Sequence, residues 1–113
     1  MAFLVGLYMA IAVVTMLVAL PLIRGRLPPN PWVGFRTPRT LRDPALWYAV
    51  NAYGGRLLFA AGVLFLGASA ALALVPGIGA DAYAVGGAVV LGLGVSGVLV
   101  LTLRYLARRP DGR

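Results

Sequence analysis

The residues best equipped for chemistry crowd into one polar stretch: Arg36, Thr37, Thr40, Asp43, Asn51 and Arg56. A guanidinium presents a rigid fork of donors that suits a carboxylate, a phosphate or several backbone carbonyls. Gly34 and the Gly54-Gly55 pair permit close backbone approach or positive φ beside them. One reading is a polar pocket in which Arg36 and Arg56 hold an anionic group from a lipid, a peptide terminus or a partner protein. The other is architectural: Arg36 pairs with Asp43 or caps a helix C-terminus and fixes the segment in place. Both readings stand open on the sequence.

The rest of the chain narrows the chemistry. Cysteine and histidine are absent and every basic residue is arginine, so there is no thiolate, imidazole or amine to act as nucleophile or base. The three carboxylates, Asp43, Asp81 and Asp111, are far apart, and the serines are Ser69 and Ser96. The donor set for zinc, iron or copper is missing. The expectation is a protein that is not an enzyme and carries no cofactor or metal.

The positioning elements follow from hydropathy. Of 113 residues, 61% are hydrophobic, and mean hydropathy is +0.92. A soluble domain this small cannot hide that much apolar surface, whereas lipid accepts it. The expected fold is an all-α integral membrane protein, a single membrane domain over 1–113 with three transmembrane helices at about 2–23, 55–75 and 83–103. A structured connector spans 24–54 and a polar tail 104–113. Within the connector, Leu27-Pro28-Pro29-Asn30-Pro31 imposes an extended path and Thr37-Pro38 repeats the restriction. Asp43-Pro44 reads as the N-cap and first position of a short helix lying near the interface, with Trp47, Val50, Asn51 and Gly54 on one face.

Charge sets orientation. All ten arginines fall in the first connector, just past it at Arg56, or in the tail, and the net charge is +7. In a soluble protein that excess would suggest nucleic acid. Beside hydrophobic spans it points to anionic lipid headgroups, with no nucleic-acid partner. The positive-inside rule puts connector and tail in the cytoplasm and the N-terminus outside. The first span has no basic residue before it and ends in a poor cleavage site, so it reads as a retained helix rather than a signal peptide. Trp32, Trp47, Tyr48 and Tyr53 read as interfacial anchors, and Arg24, Arg26, Arg39, Arg42 and the tail arginines as headgroup contacts. No ionisable residue sits deep in a span, which counts against a proton-driven pump. Ala88, Gly92 and Ser96 recur every four residues in the third span and are expected to pack against another helix or a second subunit.

The connector also carries a resemblance. The run Asn30-Pro31-Trp32-Val33-Gly34-Phe35-Arg36-Thr37-Pro38-Arg39-Thr40-Leu41, followed by Trp47 and Gly54-Gly55-Arg56, resembles the SdpI family of bacterial membrane proteins. That family shows Asn-Pro, then Gly-Ile-Arg-Thr-Pro-x-Thr-Leu, a Trp, and a Thr-His pair ahead of Gly-Gly and a basic residue. The match runs through Asn30, Gly34, Arg36, Thr37, Pro38, Thr40, Leu41, Trp47, Gly54, Gly55 and Arg56. Val50 and Asn51 stand where the family pattern has Thr and His, which puts any role for a titrating imidazole in doubt. Many members carry an additional N-terminal membrane domain, and this chain looks like the C-terminal three-helix module. The resemblance implies a bacterial plasma-membrane protein that confers immunity or signals by engaging a peptide toxin or a regulatory protein. The residues it singles out for partner or anion binding are Asn30, Gly34, Arg36, Thr37, Thr40, Trp47, Asn51 and Arg56. Two alternatives accompany it: a small oligomeric channel or transporter, and an accessory subunit of a larger membrane complex.

Overall fold

The computed structural model describes residues 1–109 and contains four helices: α1 (Ala2–Ile23), α2 (Pro38–Arg42), α3 (Pro44–Ala73) and α4 (Ala80–Arg108). α1, α3 and α4 are each long and apolar enough to cross a membrane, and no strand occurs among the described residues. The end of the expected tail, with Asp111 and Arg113, lies outside the described residues.

α1 occupies the expected range and ends in a Schellman turn. Gly25, at φ +66°, lets the Arg26 amide donate to Pro21 O at 3.0 Å and the Gly25 amide to Leu22 O at 3.4 Å. The second span differs from expectation. The short helix that starts at Asp43 and the apolar span are one unbroken helix of 30 residues. The adjacent glycines Gly54 and Gly55, where a break would be expected, do not interrupt it, because both are buried against neighbours. At 1.5 Å per residue α3 measures about 45 Å, against a hydrocarbon core of about 30 Å. α4, with 29 residues, is nearly as long. Both therefore overshoot the core, and the connector wraps the excess.

α3 is the central helix, packed on α1 along one side and on α4 along the other, while α1 and α4 barely touch. Lipid gives helices no hydrophobic reason to associate, so backbone proximity and polar contacts hold them. On the α1 side, Gly62 lies against Met16 and the Ala12 carbonyl; an added Cβ would stand 2.7 Å from Met16 Cγ. At the end remote from the arginines, Tyr8, Phe65 and Tyr83 form an aromatic core with Ala12. The Tyr8 hydroxyl donates to Ala84 O at 2.7 Å and Tyr83 donates to Ser69 O at 3.2 Å, which ties all three long helices together. Gly87 makes room for the Tyr8 ring.

The face of α4 turned to the bundle carries Tyr83, Gly87, Val98, Thr102 and Leu106, all buried. Ala88, Gly92 and Ser96 lie on another face and are exposed, and a Cβ on Gly92 would meet nothing within 4 Å. They do not join α4 to α1 or α3. The larger residues reach across the bundle because Tyr83 and Gly87 fit the aromatic core, a pairing invisible to a search for small residues alone.

Gly62→Val is expected to lower the thermal unfolding midpoint in detergent, at a cost of about 1–3 kcal/mol from overpacking. Gly92→Val should leave that midpoint unchanged. Equal effects at the two sites would mean that Gly62 is not a close helix contact.

Candidate functional site

The polar connector folds back onto the projecting first turns of α3. Asn30 opens the fold: its Oδ1 accepts from the Trp32 and Val33 amides, both at 2.8 Å, and its Nδ2 donates to Pro28 O at 2.7 Å. This Asx turn reverses the chain after the prolines. Trp47 and Asn51, one turn apart on α3, then anchor both sides of the loop. Trp47 Nε1 donates to Leu27 O at 2.9 Å, and Asn51 Oδ1 accepts from the Phe35 amide at 2.6 Å while its Nδ2 donates to Trp47 O at 2.9 Å.

Close approach forces the glycines. Gly34 has φ +113°, and a Cβ there would lie 2.6 Å from Asn51 Oδ1 and 3.1 Å from the Trp47 ring. Gly54 lies under the Phe35 ring, and Gly55 meets Leu22 and Ile23 at the end of α1, where a Cβ would come within 3.0 Å of Leu22 Cβ. The Gly54-Gly55 pair thus receives the connector on one side and α1 on the other.

Thr37 and Thr40 build α2, a helix absent from the sequence reading of an extended Thr37-Pro38. Thr37 itself is extended (φ −123°, ψ 163°), with Pro38 as the first helical residue. Their side chains form a reciprocal capping box, Thr40 N donating to Thr37 Oγ1 at 3.1 Å and Thr37 N to Thr40 Oγ1 at 2.8 Å. Thr40 Oγ1 also donates to Phe35 O at 3.0 Å. Asp43 then caps α3 by accepting from Leu46 N at 3.3 Å, as expected of Asp43-Pro44.

Six of the eight singled-out residues, Asn30, Gly34, Thr37, Thr40, Trp47 and Asn51, therefore meet in one knot, and their polar groups bond to one another or to connector backbone. The two arginines behave otherwise. Arg36 is exposed and donates from Nη1 to Pro31 O. Arg56 is exposed on α3 and makes no hydrogen bond to a described residue. They share no hydrogen-bond partner, and Asp43 is engaged in capping.

Sequence reasoning missed Arg39. Placed with the headgroup-contacting arginines, it instead reaches the end of α4, where its guanidinium donates to Leu106 O at 2.8 Å and to Arg109 O. Both carbonyls lie at the negative end of the α4 dipole, and Leu106 O also accepts the Arg109 amide at 3.1 Å. The helix-capping role offered for Arg36 belongs to Arg39. The signal was present only in part: the capping box fixes Arg39 on α2, but nothing local says which helix ends beside it. Trp47 is likewise no interfacial anchor, being 0% exposed, and Tyr53 stacks on Tyr105 with ring centroids 4.1 Å apart. Trp32, by contrast, is 80% exposed.

The arrangement can hold a loop still and display what that loop leaves outside. It gathers no group of three or more histidine, cysteine or acidic side chains for a metal among the described residues. Asn51→Ala would leave the Phe35 amide without its acceptor and is expected to cost about 1–3 kcal/mol of stability. Limited trypsin digestion should then cut at Arg36 and Arg39 faster than in the parent chain; unchanged cleavage would mean that Asn51 does not hold the connector.

Comparison with known proteins agrees with this geometry. The SdpI/YfhL protein family model matches residues 26–105, which takes in the connector knot, α3 and most of α4. No curated protein and no solved structure matches the chain. With the match covering well over half of the sequence, the chain belongs to the SdpI/YfhL protein family and is a multi-pass membrane protein of that family.

Proposed function

We propose that the chain is a non-catalytic binding module of the immunity or signalling type, engaging a peptide toxin or a regulatory membrane partner through the connector. One observation carries this reading: a loop pinned by Asn51, Trp47 and the capping box presents Trp32 and Arg36 to the outside. Tryptophan and arginine are the side chains most enriched at binding hot spots, and a preorganised loop loses little entropy on binding. The lack of any histidine, cysteine or lysine supports binding over chemistry. Family membership supports a bacterial plasma-membrane setting. The grouping of connector and α4 end, together with the positive-inside rule, supports a cytoplasmic connector and an outside N-terminus.

Orientation has a simple test because the chain lacks cysteine. In intact cells a membrane-impermeant maleimide should label Gly79→Cys and spare Val33→Cys; the reverse pattern would invert the topology. Function is tested by survival of a peptide-sensitive host expressing the chain. Arg36→Ala, at equal membrane level and with an unchanged rate of tryptic cleavage at Arg39, should weaken partner engagement by about 30-fold, the scale of a 2 kcal/mol hot spot, and remove protection. Full protection by Arg36→Ala would sink the role of Arg36, and no protection by the parent chain would sink the immunity reading.

A further inference from the structure

An apolar groove of about 400 Å³ runs between α3 and α4. Small residues open it: Ala61, Gly94 and Gly97 leave space where larger side chains would fill the seam. Gly94 and Ala61 mark the near approach of the two helices, with a Cβ on Gly94 3.8 Å from Ala61 Cβ. At Gly97 an added Cβ would meet nothing within 4 Å. The groove is therefore an open trough facing lipid.

The rows of residues that line it continue into arginines. On α4, Gly97 and Leu101 are followed on the same face by Arg104 and Arg108, at steps of three and four residues. On α3, stepping back four residues from the lining residue Ala60 reaches Arg56. All three arginines are exposed, and none donates a hydrogen bond to another described residue. Arg104 lies only about 4.5 Å along the axis beyond Leu101, within reach of a headgroup whose chain lies in the trough. The trough takes hydrocarbon and its mouth takes negative charge.

We infer that this groove is a binding site for an anionic phospholipid, with an acyl chain between α3 and α4 and the phosphodiester held by Arg104, Arg108 and Arg56. Guanidinium forks match phosphate oxygens, and basic pockets between transmembrane helices are where anionic headgroups settle. Charge also decides against a second copy as the occupant. A copy packed in parallel would bring the same arginines against these three in a chain of net charge +7. The site is separate from the connector surface and does not depend on what the connector binds.

Native mass spectrometry of the detergent-solubilised chain, titrated with dioleoyl phosphatidylglycerol or dioleoyl phosphatidylcholine, tests it. The chain should retain the glycerol lipid as a one-to-one adduct and shed the choline lipid. At about fivefold per arginine, Arg104→Gln with Arg108→Gln should weaken phosphatidylglycerol about 30-fold. The control pair Arg24→Gln with Arg26→Gln, outside the groove, should change it little. Gly97→Leu, which fills open space, should expel the lipid while leaving the unfolding midpoint unchanged. Equal retention of the two lipids, an equal loss from the control pair, or full retention by Gly97→Leu would each overturn the site. So would a dimer that Gly97→Leu dissolves, because the groove would then belong to a second copy.

Discussion

One buried amide governs the arginine-rich end of this protein. Asn51 is 1% exposed, and it accepts from the Phe35 amide while donating to Trp47 O. The connector between α1 and α2 has no regular structure and could not otherwise satisfy its backbone where it crosses α3. Fixing Phe35 places its ring on Gly54, and that in turn requires a glycine at position 34, where the chain passes over the Asn51 amide and the Trp47 ring. Two motif glycines, Gly34 and Gly54, thus follow from one hydrogen bond and the space around it. A buried polar group with both halves satisfied specifies one arrangement, and half-satisfied it would destabilise the same fold.

The constraint spreads because α3 and α4 are longer than the membrane is thick. Their projecting ends would expose Leu46, Val50, Tyr105 and Leu106 to water, and those residues instead cluster beneath the connector with Phe35. Arg39 completes the join by satisfying carbonyls at the end of α4. The arginine-rich end is thereby locked through the connector, and the opposite end through Tyr8 and Tyr83. Between the two locks α1 and α4 have little mutual contact, so the middle of the bundle rests on α3 and on the small residues that let its neighbours approach.

Hydropathy alone was enough for the number of long helices and for the range of α1, because length and apolarity are local properties. The motif residues were legible as a group for the same reason: their types and spacing are unusual wherever they fold. What was not legible depended on partners distant in sequence. Continuity of α3 through Gly54-Gly55 follows from packing against Phe35 and α1, which no local propensity encodes. Trp47 looked like an interfacial anchor because its burial depends on Leu27 coming back to accept its indole N–H. Ala88, Gly92 and Ser96 drew attention by size, yet the seam is formed by residues matched in shape to Tyr8, Phe65 and Ser69. Arg39 and Arg36 are near neighbours with similar local surroundings, and only the position of the α4 end separates their roles.

Asn51 also bears on what kind of switch this chain can contain. The family pattern puts histidine at this position, and a neutral imidazole could perform both tasks, with one ring nitrogen accepting and the other donating. Protonation would convert the acceptor into a second donor facing the Phe35 N–H, and the connector would lose its attachment somewhere between about pH 5 and 8. The carboxamide supplies the same acceptor and donor with no titration in that range. The geometry at Asn51 therefore keeps the hydrogen-bond pattern of a neutral imidazole without its titration.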